Sequence, residues 1–252
     1  MHVNFLNRII DKIKLNLFNK DFIVSRKFAN QNFKFFITHE IELWRSNTIL
    51  TKEPETIEWI NKFKNDEILY DVGANIGIYS LYASKRKIKT VAFEPAFHNF
   101  KKLKKNIKLN KVNNCKAYSI ALSNKNYIKK FYFNSKQSGT SEKVSEDNIL
   151  KKKFVQKIRF SKLDNLIFQK KFIKPNHIKI DVDGNELNIL KGAKKILKKK
   201  YLKSILIEIS FNKRLSESPI PKILKRNGFK LIKKGKKFSG VESYTQNIIF
   251  MR

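Results

Sequence analysis

The chain has few of the residues that cross-link or divide small proteins. Its 252 residues include one cysteine, five prolines and eight glycines. The single cysteine, Cys115, excludes an internal disulfide and fits a reducing compartment, so we expect a cytoplasmic location. No apolar run approaches the length of a membrane span. Asn7 and Arg8 interrupt the first ten residues, which therefore do not read as the apolar region of a secretory signal.

Acidic residues are also scarce. Asp and Glu total 21 against 55 Lys and Arg, which gives a formal net charge of +34. Two interpretations stay open for the lysines, which are spread along the whole chain. They form solvated surfaces produced by compositional drift, or they attract an anionic partner, either nucleic acid or a membrane surface, where the protein would be peripheral. Arginine is the usual residue for bidentate phosphate recognition, and its low share weakens the second interpretation.

One stretch, residues 68–80, carries the strongest functional signal. An apolar strand leads into a turn with Gly73 and Gly77, and a helix follows. In open α/β sheets, ligands bind beyond the carboxyl ends of the strands. A second short strand ends about twenty residues later at Glu94, a carboxylate placed to accept both hydroxyls of a ribose. These two strand ends predict a site for an adenosine-containing cofactor.

The glycine spacing indicates which cofactor this is. A dinucleotide loop reads G-x-G-x-x-G, whereas this loop reads G-x-x-x-G, with Asn75 where the backbone would approach a pyrophosphate. Asp71 at the strand end would repel such an anion. A carboxylate suits the ammonium and sulfonium of S-adenosylmethionine, so we assign Asp71, Gly73, Asn75, Gly77 and Glu94 to cofactor binding. The alternative for Asp71 and Gly73 is a purely structural turn.

Several segments together resemble the FkbM-type methyltransferase family. They are EPETIEW at 53–59, DVGANIG at 71–77, FEP at 93–95, ALS at 121–123 and IKIDVDGNE at 178–186. The resemblance implies a Rossmann-like class I methyltransferase fold, an α/β architecture with a mostly parallel seven-stranded sheet and helices on both faces. It also implies S-adenosylmethionine as cofactor and methylation of hydroxyls on sugars or natural products. Ser119 and Ala121 lie where the third strand of this fold meets the adenine ring.

The chain divides into two regions. Residues 1–50 read as an N-terminal extension with an amphipathic helix at 5–18, which packs on the core or a neighbouring subunit or lies on a membrane surface, and a strand at 33–37. Residues 51–252 form the methyltransferase domain, with a helix start capped by Thr51. Between about 126 and 162, two strands and a polar loop interrupt the strand–helix alternation. The oligomeric state is left open by the sequence.

The catalytic candidates follow the strand at 177–181 and adjoin a helix predicted over 184–197. Asp181 and Asp183 can face the same side because alternate residues of an extended chain share a face. We assign Asp181 to positioning donor or acceptor, and Asp183 to the base or to an acceptor-hydroxyl contact. The structural alternatives are helix capping by Asp183 and stabilisation of the helix dipole by Glu186. Glu208 reads equally as a buried pair or a substrate contact.

No metal is expected, although paired carboxylates such as Asp181 and Asp183 suit Mg²⁺. The predicted function is S-adenosylmethionine-dependent O-methylation of a hydroxyl on a sugar, glycan or small polar metabolite. The alternatives are an RNA methyltransferase, favoured only by the charge, and a non-catalytic basic binding protein on the same scaffold.

Overall fold

The computed structural model describes residues 11, 13, 21–133, 154–212, 214–239 and 244–252. The helix predicted at 5–18, apart from Asp11 and Ile13, and the loop predicted at 134–148 lie outside the described residues. The strands are β1 (Phe22–Phe28), β2 (Gln31–Ile37), β3 (Ile68–Val72), β4 (Lys89–Phe93), β5 (Cys115–Tyr118), β6 (Ala121–Leu122), β7 (Tyr127–Phe133), β8 (Phe154–Ser161), β9 (His177–Ile180), β10 (Ser204–Phe211), β11 (Lys230–Ser239) and β12 (Tyr244–Met251). The described α-helices are α1 (Glu40–Asn47), α2 (Pro54–Asn61), α3 (Ile78–Lys85), α4 (Phe97–Leu109), α5 (Leu163–Phe168), α6 (Glu186–Lys191) and α7 (Ile220–Arg226).

A seven-stranded sheet forms the centre, in the order β11-β12-β10-β9-β3-β4-β5. The five strands from β10 to β5 are parallel, whereas β12 pairs antiparallel with both β10 and β11. The sheet is therefore parallel in its ligand-binding part and antiparallel at one edge. Two large apolar clusters fill the space between its faces and the helices. No helix among the described residues is long and apolar enough to cross a membrane.

The register aligns the ends of four strands with a residue in the middle of β10, Glu208, in a single row that we call the row of strand ends. Val72 pairs with Phe93 on one side and Ile180 on the other; Phe93 pairs with Tyr118, and Ile180 with Ile207. The next residue along each strand continues this row, which reads Ser119, Glu94, Gly73, Asp181 and Glu208. Adjacent strands lie about 4.8 Å apart, so Glu94 and Asp181 flank Gly73 at a separation of roughly 10 Å.

The N-terminal hairpin β1–β2 packs against α4. Asparagine side chains of that helix make the backbone hydrogen bonds that a neighbouring strand would otherwise make. Asn106 Oδ1 accepts from the Phe36 N–H (2.9 Å), and the Asn110 side chain bonds both the N–H and the C=O of Lys34. This pairing covers the edge of β2. The strand predicted at 33–37 is confirmed within β2.

Two predicted helix boundaries are wrong. Helix α2 begins at Pro54 with Glu53 as its N-cap, not Thr51, because the carbonyl of Glu53 accepts from the Thr56 N–H at 3.1 Å. The helix predicted at 184–197 is two short pieces, α6 and a 3₁₀ turn at Ile196–Lys198. Asp164 captures the Lys195 and Ile196 N–H groups at 2.8 and 2.9 Å, and this competing acceptor starts a new turn.

Strands β7 and β8 form the hairpin expected within 126–162, outside the main sheet, with β6 as a third strand. Gln156 fastens this hairpin beside Glu94: its side-chain oxygen accepts from the Phe97 N–H (2.9 Å), and its amide donates to the Pro95 carbonyl (2.8 Å). The hairpin thereby forms a wall next to the second strand end of the row.

Candidate active site

A cavity of about 650 Å³ lies over the row of strand ends. Six of the nine residues predicted from the sequence line it: Gly73, Asn75, Glu94, Ala121, Asp181 and Asp183. The hairpin contributes an aromatic wall in which Tyr127 stacks on Phe160, with ring centroids 4.4 Å apart. The cavity therefore combines carboxylates on its floor with an apolar wall.

Gly73 permits the close contact between the first loop and β9. Its φ is +85°, and a Cβ there would sit 1.8 Å from the carbonyl oxygen of Asp181. Its N–H and that of Ala74 both donate to the Phe93 carbonyl, at 2.9 and 3.0 Å. Glycine is the only residue that meets both demands, left-handed backbone and no side chain.

Glu94 is 5% exposed and lines the cavity. Its two oxygens accept the N–H groups of Asn75 (2.8 Å) and Ala96 (2.9 Å). Burial raises the pKa of Glu94 to about 7, against the lowering effect of these bonds and one from Asn99. A carboxylate offers about four acceptor positions, and three are used by Asn75, Ala96 and Asn99, so Glu94 retains capacity for about one ligand hydroxyl.

Three predicted cofactor residues do not line the cavity. Asp71 is 1% exposed, and its Oδ2 accepts from the Ser80 hydroxyl at 2.5 Å, so its carboxylate fixes the start of α3 from below. Burial raises its pKa. Gly77 has φ +94° and precedes α3, where a Cβ would meet Leu103. Ser119 is exposed outside the lining, and its neighbours Ile120 and Leu122 line the cavity instead.

Asp181 is ion-paired from beneath. Lys179, 1% exposed, donates to Asp181 Oδ2 at 2.7 Å. Burial opposes ionisation of this carboxyl, but the charges of Lys179, Lys52 and Arg45 outweigh it and hold the pKa of Asp181 below its usual value. Burial likewise disfavours the Lys179 ammonium, and the surrounding carboxylates keep its pKa raised. Asp181 is thus a fixed negative charge and a weak base.

Asp183 lies exposed at the cavity rim with φ +54°, two residues before the N-cap of α6, which is Asn185. Glu186 has a structural role, because its Oε1 accepts from the Gly184 N–H (3.1 Å) and the Val182 N–H (3.3 Å) of the loop before α6. The geometry therefore separates the two acids: one closes the loop, and the other faces the cavity.

Glu208 lines the same cavity one strand beyond Asp181. Burial, and after it the charge of Asp181, raises the pKa of Glu208 to about 8. The sequence left its role open; its position in the register row is the signal that brings it to the site. Arg45 and Lys52 also line the cavity and carry no motif that could have indicated it.

His177 lies at the opposite end of β9, away from the cavity. Its ring nitrogens are 2.6 Å from Ser204 Oγ and 2.9 Å from Glu67 Oε2, and it stacks on Phe63. These contacts give it a structural role. Among the described residues, no group of three or more His, Cys, Asp and Glu is arranged to hold a metal ion.

The architecture is that of a Rossmann-like class I methyltransferase domain. It has parallel strands in this order, an antiparallel pair at one edge and a glycine loop between acidic strand ends. The predicted fold class is confirmed, with the sheet parallel over five of its seven strands. The chain belongs to the methyltransferase FkbM domain family, whose sequence model matches residues 71–231.

Two relatives have methyltransferase names. Methyltransferase 1 of Beauveria bassiana is 25% identical over 148 residues, which are 52% of this chain and 59% of that protein. The hexuronic acid methyltransferase AglP of Haloferax volcanii is 26% identical over 176 residues, 70% of each chain. The chain thus spans less than two thirds of the first relative's length.

Solved structures share the fold. A putative transferase from Pyrococcus horikoshii superposes with a TM-score of 0.55 at 14% identity, covering 97% of this chain and 82% of that one. TYW2 of P. horikoshii, in complex with MeSAdo, gives 0.50 at 16% identity, covering 92% and 72%. The methyl donor of this class is S-adenosylmethionine. The residues present fit it: Gly73 leaves a cradle that a Cβ would fill, and Glu94 has spare acceptor capacity.

Proposed function

We propose that the protein transfers a methyl group from S-adenosylmethionine to a hydroxyl of a sugar, glycan or other small polar metabolite. One observation carries this proposal: Asp181 and Glu208 lie side by side at the end of the cavity remote from Glu94, and the pKa of Glu208 is about 8. A base near the operating pH suits removal of a hydroxyl proton. The relative named as a hexuronic acid methyltransferase supports a sugar-type acceptor.

Each residue of the site has a separate proposed role. S-adenosylmethionine, when bound, supplies a methyl group already activated on sulfur, so the protein mainly has to align the acceptor, and alignment is worth roughly 7–11 kcal/mol. Glu208 takes the proton as the acceptor oxygen forms its bond to the methyl carbon and the sulfur–carbon bond breaks. Asp181 keeps its charge because Lys179 pairs with it. Asp183 accepts a hydrogen bond from an acceptor hydroxyl at the rim.

The decisive experiment has two stages. Calorimetric titration with S-adenosylhomocysteine establishes the donor site, and a labelled-methyl screen then offers free sugars, glycolipids and RNA. We expect binding and transfer to a sugar-containing acceptor. Transfer to RNA alone would overturn the proposal in favour of nucleic-acid methylation. Binding without transfer to any acceptor would favour the non-catalytic alternative.

The role of Asp183 has its own test. In Asp183→Asn we expect unchanged affinity for S-adenosylhomocysteine and a collapse of turnover, because we assign this residue at the cavity rim to the acceptor and Glu94 to the nucleoside. Asp66→Asn is the matched control, since this exposed acid lies at a distant surface pair with Lys89. Unaltered turnover in Asp183→Asn would remove this residue from the mechanism.

A further inference from the structure

The hairpin of β7 and β8 has two faces of different composition. Alternate residues of its strands line the cavity, namely Tyr127, Lys129, Phe131, Ile158 and Phe160. The residues between them point to the opposite side, because successive side chains of a strand alternate between faces. On that side the register pairs Ile128 with Arg159 and Lys130 with Lys157, and Val155 lies two residues before Lys157. We call these five residues the outer hairpin face.

All five residues of the outer hairpin face are exposed. Ile128 is 64% exposed, the largest fraction of any large apolar side chain among the described residues, and Val155 is 57% exposed. Branched aliphatic side chains on strands usually pack against a neighbouring layer. Here two of them stand unburied about 13 Å apart along the strands, with Lys130 and Lys157 between them.

The charges of the outer hairpin face have one sign. Neither β7 nor β8 contains Asp or Glu. Lys130, Lys157 and Arg159 form no ion pair with an acid in the described part of the chain. The exposed Lys89, by contrast, pairs with Asp66. An anionic partner would therefore complement the three cations of this face.

Apolar groups among cations favour a lipid surface over a nucleic acid. Proteins that hold single-stranded nucleic acid stack its bases on aromatic side chains, whereas the outer hairpin face offers aliphatic ones. At a bilayer, aliphatic side chains enter the boundary between headgroups and acyl chains, while Lys and Arg reach the phosphates with their charged ends. Each such cation is attracted to an anionic leaflet. The combination matches the surface of an anionic membrane.

We propose that the outer hairpin face docks the protein on an anionic lipid membrane. Ile128 and Val155 enter the headgroup region, and the three cations pair with lipid phosphates. The other side of the same hairpin lines the cavity, so a single layer of strands separates the docked membrane from the candidate active site. Gln156 fastens the hairpin to the domain, and docking therefore also orients the cavity relative to the membrane.

Vesicle flotation at physiological salt tests this docking surface. The vesicles consist of phosphatidylcholine alone, or of phosphatidylcholine with an equal share of phosphatidylglycerol. We expect the wild-type protein to bind the anionic vesicles only. In the triple variant Lys130→Gln, Lys157→Gln, Arg159→Gln the partition coefficient should fall roughly 100-fold, because each cation near an anionic leaflet contributes about fivefold.

The matched control is the triple variant Lys222→Gln, Lys225→Gln, Arg226→Gln. It also removes two lysines and one arginine, from exposed positions on α7. This helix packs against β11, at the edge of the sheet opposite to β5. Its charges lie beyond the reach of a membrane docked on the hairpin, so we expect a change of less than about fivefold.

A second pair of variants tests the apolar contribution at constant charge. Ile128→Thr with Val155→Thr keeps the β-branched shape and should lower the partition coefficient roughly 10-fold, because each substitution replaces at least one buried methyl group, worth about fourfold. Ile232→Thr is the control at another exposed strand residue, 53% exposed on β11, and should leave binding unchanged. The charge and apolar variants are independent, so either set decides the matter if urea unfolding shows that the other is not folded.

Four results would overturn the proposal. Wild-type protein does not bind anionic vesicles, or it binds phosphatidylcholine vesicles equally well. The two triple variants lose vesicle binding equally, which would make the attraction a property of net charge. The hairpin triple variant loses binding to labelled single-stranded RNA in gel-shift assays and keeps vesicle binding, which would assign the face to nucleic acid. The apolar double variant binds vesicles as the wild-type protein does.

Discussion

Substitution of Gly73 tests the central geometric claim about the site. In Gly73→Ala the new Cβ would lie 1.8 Å from the Asp181 carbonyl oxygen, so β9 and the first loop must separate by more than an ångström. The movement breaks the bond from the Asp181 N–H to the Val72 carbonyl (3.0 Å) and displaces the Gly73 N–H from Phe93. The cofactor loop and a catalytic strand end are thereby shifted together.

The chain offers a matched control. Gly228 has almost the same backbone, φ +84° against +85°, but its nearest neighbour is the side chain of Arg252 at 3.7 Å, an ordinary contact. Gly228→Ala should cost only the left-handed strain, about 1–2 kcal/mol. Gly73→Ala adds one or two lost hydrogen bonds at about 1 kcal/mol each, for a total of about 2–4 kcal/mol.

Urea unfolding, followed by tryptophan fluorescence, measures both costs, and calorimetry with S-adenosylhomocysteine measures the site. We expect Gly73→Ala to lose at least about tenfold in affinity, as for one hydrogen bond to a charged group, and Gly228→Ala to keep it. Equal unfolding free energies for the two variants, together with native affinity in Gly73→Ala, would refute the close-contact argument.

Three further predictions use the charged row. Turnover of the wild-type protein should rise with pH through about 8 as Glu208 loses its proton, and a pH–rate profile measures this rise. Glu208→Gln should abolish the rise and keep the affinity for S-adenosylhomocysteine. Affinity for S-adenosylhomocysteine should fall as pH drops through about 7, because a protonated Glu94 accepts fewer hydrogen bonds from ribose; a pH-independent affinity in calorimetry would contradict this. Lys179→Met should destabilise the fold by about 3–5 kcal/mol in the same urea titration, because it leaves Asp181 without its buried partner. Lys233→Met removes an exposed pair with Glu58 and should leave the free energy of unfolding nearly unchanged.

Backbone features of the site were predictable because single residues dictate them. Gly73 and the strand before it fix a turn, and Glu94 follows a strand at a distance that one helix spans. The register of parallel strands then brings Asp181 into the same row. The N-terminal boundary at residue 50 and the cytoplasmic location stay predictions.

Side-chain burial was less predictable because it depends on contacts distant in sequence. Asp71 reads as a ligand residue from its motif, but the sheet buries it and Ser80 donates a hydrogen bond to its Oδ2. Glu208 became a site residue only through its pairing with β9. Asp164, 31 residues away, interrupts the helix predicted at 184–197 by binding the Lys195 N–H. No local pattern encodes any of these three contacts.

The residues that line the cavity come from different stretches of the chain. Residues 71–231 supply the glycine loop and all the row of strand ends, whereas Phe238 and Thr245, which also line the cavity, come from the antiparallel edge beyond that stretch. On the proposed function, we expect residues at that edge to contribute to acceptor choice while the donor site stays intact. A chimera carrying another family member's last two strands should then inherit that member's acceptor preference.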